Sequence, residues 1–261
     1  MKAQIAAIEY ALPSRCVTND HLDQAHPDWS IHKLAHRTGV LTRYVCGENE
    51  TALDLATVAC ERLFESSELA RQDVGGIIVC TQSPDYIMPP NSTLLQHRLG
   101  LPSSVAAFDI TLACSGFIYG LFLAKSLIES GSLENILLVT AEAYSKLVHP
   151  GDRATMALFG DGAAVTLIRK GATGVGEIVL GTDGSGGDRF MVAAGGARVP
   201  KSDATRVEKV DISGNVRTLE NIYMDGAAVL KFVKNRVPAS VREVLHKSGL
   251  SNDDISLFVF H

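Results

Sequence analysis

A single thiol stands where two textures of sequence meet. In FDITLACSGFIYGL, Phe108 to Leu121, an apolar and β-branched run leads into Cys114, and a helical pattern follows it as far as Gly131. A cysteine at the first turn of a helix faces unpaired backbone N–H groups and the positive end of the helix dipole, which both favour the thiolate. Ser115 and Gly116 are the small residues that a sharp strand-to-helix turn requires. That context marks Cys114 as a nucleophile, although a free cysteine is more commonly a small buried hydrophobe. At the other end the chain stops at SLFVFH, with His261 as its final residue. Taken alone, a terminal histidine is a tail residue.

The remaining chemistry-bearing residues are quieter. Cys16, Cys46, Cys60 and Cys80 are scattered, and the total of five is odd and contains no CxxC pair. That pattern argues against a disulfide framework and a zinc site, and it points to a reducing cytoplasm. His32, His36, His97 and His149 have no ligand spacing, so no metal is expected. FGDGAA, Phe159 to Ala164, is glycine-rich, but it lacks phosphate-loop spacing and leads into a strand. It is expected to be a structural turn beside the cysteine helix, with Asp161 capping backbone amides.

These residues must be carried by a framework, and composition describes it. The 261 residues are 46% hydrophobic and 20% charged, with a net charge of −5. This is a soluble globular protein without the basic footprint that nucleic acid needs. The N-terminus has no signal-peptide pattern, and no stretch approaches a membrane span. Strand-length apolar runs fall at Gln4–Tyr10, Gly76–Thr81, Val105–Ile110, Ile136–Thr140, Ala163–Ile168 and Leu257–Phe260. Helical patterns fall at Thr51–Ser66, Asn91–Leu99, Phe117–Ser130, Ala227–Arg236 and Ala239–Lys247. The alternation predicts an α/β protein with a parallel sheet covered on both faces. Gly171–Asn215 is Gly-rich and polar, and it reads as a long irregular connection with a hairpin between two halves. LFESSELARQDVGGIIVC, Leu63 to Cys80, lies over VLHKSGLSNDDISLFVFH, Val244 to His261, without a gap. The overlay suggests a duplicated α/β unit, although helix–loop–strand units often look alike.

DITLACSGFIYGL, GDRATMALFGDGAAVTLI, HRTGVLTRYV and the terminal DDISLFVFH resemble β-ketoacyl-acyl-carrier-protein synthase III, a condensing enzyme of the thiolase superfamily. The resemblance implies a thiolase fold: two duplicated βαβ-rich halves in a layered αβαβα arrangement, usually in a homodimer. The boundary is placed at 169, with residues 1–169 carrying the nucleophile and 170–261 forming an incomplete second half. The cysteine matching Cys114 takes an acyl group from acyl-CoA, which is a substrate and not a bound cofactor. A malonyl group on the acyl-carrier protein then loses CO2, and its carbanion attacks the thioester. The family stabilises the enolate with a His and an Asn, and His261 matches the His. Arg37 in HRTGV and Arg153 in GDRAT match arginines that contact the CoA nucleotide, and Trp29 matches a tryptophan that stacks on adenine. Met88 in YIMPP lies where the family often has a residue that crosses the dimer interface. Lys231, Lys234 and Arg236, on one predicted helix, form a candidate dock for the acidic carrier protein; a solvated helix face is the equal alternative.

In the family, further elements follow the His, including the Asn. The sequence ends before them, so the chain is expected to be a fragment or a prematurely ended copy, able to take an acyl group but not to complete condensation.

Overall fold

The computed structural model describes residues 2–261. Its strands and helices are, in chain order, β1 (Lys2–Ala11), β2 (Arg15–Thr18), α1 (Asn19–Ala25), α2 (Ile31–Thr38), β3 (Thr42–Val45), α3 (Ala52–Ser66), β4 (Gly76–Cys80), α4 (Asn91–Arg98) and β5 (Ala106–Ile110). The chain continues through α5 (Gly116–Glu129), β6 (Asn135–Glu142), α6 (Arg153–Met156), β7 (Gly162–Gly171), β8 (Phe190–Val192), β9 (Lys209–Val210), β10 (Val216–Arg217), β11 (Ile222–Met224) and α7 (Gly226–Ser248).

The main sheet has the order β1-β7-β6-β4-β5. It corrects the expectation of a parallel sheet. β5, β4 and β6 are mutually parallel, but β7 runs antiparallel to β6, and β1 antiparallel to β7. Strand composition cannot reveal this, because a strand buried on both faces reads as an apolar run in either direction. Both faces are indeed covered. Ile77, Val79, Leu137, Val139, Val165 and Leu167 point into one core with α3 and α4. Their neighbours Ile78, Ile136, Leu138 and Ile168 point into a second core with α5.

The helices begin where local chemistry allows. Thr51 caps α3 by accepting from Asp54 N, and Asp54 reaches back to Thr51 N, so two otherwise orphaned amides are satisfied reciprocally. Two helices expected after Ala227 are one, because Pro238 lies inside α7 without ending it. The expected strand Leu257–Phe260 has no regular structure, since no described strand offers its backbone a hydrogen-bonding partner. The internal overlay recurs in the turns: 3₁₀ turns at Arg71–Asp73 and Asn252–Asp254 occupy equivalent places after α3 and α7.

The helix that follows the cysteine is pressed hard onto the sheet. A Cβ added at Gly120 would lie 2.4 Å from Leu138 Cδ1 on β6. Leu138 is fully buried and has nowhere to move. Gly120→Val should therefore destabilise the protein by roughly 1–3 kcal/mol. Calorimetry reads this as a lowered thermal midpoint, and an unchanged midpoint would show that α5 can lift from β6.

Candidate active site

Because β4, β5 and β6 are parallel and in register, their carboxyl ends converge on one edge of the sheet. Such an edge is where open α/β sheets place their ligands. Cys114 lies just beyond the end of β5, and Ser115 precedes the first residue of α5. Cys114 is exposed, Cys16 is partly covered, and Cys46, Cys60 and Cys80 are buried. Gly116 is required at the turn. Any Cβ there would collide with Cys80 Sγ, which itself donates to Leu112 O at 3.2 Å.

The electrostatics of the thiol depart from the sequence expectation. Desolvation raises the Cys114 pKa above the ordinary thiol value, and the nearby Glu142 adds to the rise. Hydrogen bonding to the backbone amide of Cys114 opposes them without winning. One amide of the turn is already engaged, since Gly116 N donates to Ala113 O at 2.8 Å. Loss of water outweighs the amides of the helix start. Burial and Glu142 together hold the Cys114 side chain toward its protonated, thiol form.

Glu142 is a site residue that motif reading missed. It ends β6, and its carboxylate accepts from Gln82 N at 2.8 Å and Ser83 Oγ at 2.7 Å. Ser83 Oγ in turn accepts from Ala143 N at 2.8 Å. The ends of β4 and β6 are thus tied together through one carboxylate. Desolvation pushes its pKa up to about 6, against the hydrogen bonds that hold it down. Tyr144 donates to Gln82 Oε1, and its ring packs edge-on against Phe159 and Phe190 at 5.4 and 6.4 Å. Burial and the neighbouring Glu142, Cys114 and Cys80 push the phenol upward, so it remains a donor. The available signal was position alone: an acidic residue at the end of an apolar strand.

The candidate nucleotide contacts lie on neighbouring elements. Trp29 stacks on His26 with centroids 3.7 Å apart, and it packs with Leu22, Ile31, Leu34 and Met156 in a small apolar cluster. That cluster joins α1 and α2 to α6, whose first residue is Arg153. Arg37 is exposed in the last turn of α2. Beside them opens a cavity of about 680 Å³, whose walls include Arg15, His26, Arg43, Lys146 and Phe159 but not Cys114. Arg43 is a buried cation there: its Nη2 donates to Asn19 Oδ1 and Ala157 O, each at 2.8 Å, while its buried Nε finds no partner among the described residues.

His261 is exposed at the end of the irregular segment after α7, and no hydrogen bond or ion pair among the described residues ties it to Cys114. Lys231, Lys234 and Arg236 do share α7, as expected. Lys231 and Lys234 lie one turn apart, whereas Arg236 sits about 140° round the helix from Lys231 and pairs with Asp183 at 3.0 Å. Asp161 caps amides as its motif suggested, accepting from Cys46 N and Ser145 N at 2.7 and 2.8 Å. Among the described residues no group of His, Cys, Asp and Glu could hold a metal, and no helix is long and apolar enough to cross a membrane.

Known proteins match this chain closely. The family model for 3-oxoacyl-[acyl-carrier-protein (ACP)] synthase III matches residues 108–184, which span the cysteine turn and FGDGAA. The sequence is 37% identical to the β-ketoacyl-[acyl-carrier-protein] synthase III of Caldanaerobacter subterraneus, over 96% of this chain and 73% of that protein. It is 35% identical to the corresponding synthase of Chlamydia caviae, over 100% of this chain and 75% of that protein. A crystal structure of a 3-oxoacyl-(acyl-carrier-protein) synthase III superposes with a TM-score of 0.97 at 42% identity, covering 100% of this chain and 78% of that one. The chain thus spans about three quarters of the length of these relatives. Its fold is the thiolase fold that the sequence resemblance implied.

The thiol's environment fixes the sign of two effects. Iodoacetamide should label Cys114 ahead of the other four cysteines, since it alone is exposed. The rate should climb with pH, roughly tenfold per unit while the thiol is mostly protonated. Glu142→Gln removes a negative charge that disfavours the thiolate, so the labelling profile should move to lower pH. Peptide mapping across pH 7 to 10 checks both, and equal labelling of all five cysteines in the native protein would contradict the assignment.

Proposed function

Because the chain belongs to the 3-oxoacyl-[acyl-carrier-protein] synthase III family, we propose that Cys114 is the residue on which its condensing chemistry turns. The reaction is an acyl-CoA-primed condensation with malonyl-acyl-carrier protein. The sulfur of Cys114 attacks the acyl-CoA carbonyl, the C–S bond to CoA breaks, the thiol proton passes to the departing CoA sulfur so that CoA leaves as its thiol, and an acyl-enzyme forms. The malonyl carboxylate then leaves as CO2, and the electron pair of that C–C bond becomes an enolate. Its carbon attacks the acyl-cysteine carbonyl, and collapse expels the Cys114 thiolate and releases the ketoacyl product on the carrier protein. Sulfur suits both steps, being a good nucleophile and a good leaving group.

The observation that carries this reading is the exposed thiol at the carboxyl edge of the sheet, at the start of a helix. Protonation of the resting thiol fits a nucleophile that waits for substrate, because a free thiolate is open to oxidation. His261 is assigned as a donor to the enolate oxygen, a role worth a few kcal/mol to such an intermediate. Trp29, Arg37 and Arg153 are assigned to the CoA nucleotide; the shared cluster that joins α1, α2 and α6 supports grouping them. Guanidinium groups suit phosphate and base stacking together. Lys231 and Lys234, exposed and one turn apart, are assigned to the acidic carrier protein.

A homodimer belongs to the same reading. β5 forms an edge of the sheet, so its outer backbone groups are open to pairing with a second copy. Ile87 and Met88 are 92% and 78% exposed, as residues reaching a neighbour's pocket would be before association. The division into thiolase-like halves at residue 169 rests on the equivalent turns after α3 and α7. A cytoplasmic setting fits five free cysteines.

Incubation with acyl-CoA should add one acyl group to Cys114, detectable in the intact mass and mapped by peptide digestion. Cys114→Ala should abolish the adduct and lower condensation by roughly three orders of magnitude or more. Release of CO2 from malonyl-carrier protein, absent in that variant, would separate decarboxylative condensation from simple acyl transfer. Acylation of the Cys114→Ala protein to the same extent would end the proposal.

A further inference from the structure

The short segment leading into Arg153 is gripped from outside by a hairpin. Strands β9 and β10 pair antiparallel, Val216 with Val210 and Arg217 with Lys209. Val216 N donates to Gly151 O at 3.0 Å, and a Cβ added at Gly151 would come within 2.9 Å of Val216 Cβ. The hairpin therefore lies directly on the glycine. His149 Nδ1 accepts from Gly151 N at 3.0 Å, and its Nε2 faces Glu208 Oε1 at 3.3 Å, just before the hairpin.

The centre of the grip is Asp152, whose side chain is fully buried. One oxygen accepts from Ala154 N at 3.1 Å, which caps α6. The other accepts from Arg217 Nη1 at 3.2 Å. Arg217 is itself locked. Its Nη2 pairs with Asp211, which Asn215 and Ser213 N hold in turn, and its guanidinium lies 5.3 Å over the Tyr223 ring. A guanidinium with a planar fork, held on three sides, transmits a fixed geometry to the carboxylate it touches.

Arg153 is the residue that follows. Its backbone is the first of α6, set by Asp152, and its carbonyl accepts from Ala157 N at 3.1 Å. Among the described residues no hydrogen bond or ion pair engages its guanidinium. A long cation with a fixed root and an unengaged tip suits delivery to an anionic ligand, because less freedom is lost on binding. Met156, one turn on, packs against the same buried cluster as Trp29. The order of parts is hairpin, buried carboxylate, cation, aromatic ring.

We propose that Arg217 is a positioning residue for acyl-CoA: through buried Asp152 it fixes the start of α6, so that Arg153 meets the CoA nucleotide. The inference rests on the assignment of Arg153 to that nucleotide, and its test keeps the two separable. One saturated acyl group is offered on CoA and, separately, on N-acetylcysteamine, a thioester that ends before the nucleotide. Arg217→Gln should raise KM for acyl-CoA about tenfold, the scale of one weakened charge-assisted contact, with kcat within twofold. It should leave kcat/KM for the N-acetylcysteamine thioester unchanged. Arg217→Lys keeps the charge without the fork and should give an intermediate KM; it also serves if the glutamine variant fails to fold. Arg153→Ala should reproduce the same split. If Arg153→Ala shows no split, the nucleotide assignment falls and the inference goes with it. If Arg153→Ala splits the two thioesters and neither Arg217 variant does, the inference alone is overturned. Equal loss on both thioesters in the Arg217 variants would make Arg217 a purely structural residue and would overturn it as well.

Discussion

A carboxylate withdrawn from water must find donors, and at the working edge of this sheet the donors come from distant parts of the chain. Asp161 draws together Cys46 N and Ser145 N, from segments that precede and follow the cysteine helix. Glu142 ties the end of β6 to the turn after β4. Asp109, on β5, accepts from Asn91 N and Ser92 N at 2.8 Å and so caps α4, which its own N-cap residue Pro90 cannot do. Asp152 joins α6 to the outer hairpin. Each of these acids would be costly if left alone, and each exchanges that cost for a connection between elements that share no local sequence. The edge of the sheet is held as a frame.

The frame explains the environment of Cys114. The acid that binds the ends of β4 and β6 lies close enough to Cys114 to oppose its ionisation. Structural cohesion and ionisation of the thiol therefore pull against each other at one residue. Glu142 responds to the same burial, with a pKa of about 6. Its folded pKa lies above the ordinary carboxyl value, so its ionisation costs stability as pH rises through that range and returns it as pH falls.

The long return between β6 and β7 is shaped by the reversal of β7. Residues 143–161 leave the carboxyl edge and come back to it, since Glu142 and Gly162 are partners across the antiparallel pair. That excursion carries Lys146, Met156 and Phe159 into the walls of the large cavity. A parallel β7 would instead have required a crossover that ended at the opposite edge. The reversed strand thus gives its connection to the site.

The α/β class and the helix at Ala52–Ser66 were legible in the residues, because strand and helix texture depends on neighbours within a few positions. FGDGAA marked Asp161 as an amide-binding residue without showing which distant amides it binds. A strand-to-helix switch around a cysteine is local, and so is a capping box such as Thr51 with Asp54. The antiparallel courses of β1 and β7 were not legible, since alternate burial on two faces looks the same in both directions. The single α7 was not legible either, because Pro238 disfavours a continuous helix that the folded chain nonetheless keeps. Glu142 beside Cys114, and Arg217 on Asp152, are pairings across tens of residues and carry no local signature. They arise only when the sheet orders its strands, because the free energy of a buried charge depends on what surrounds it in space.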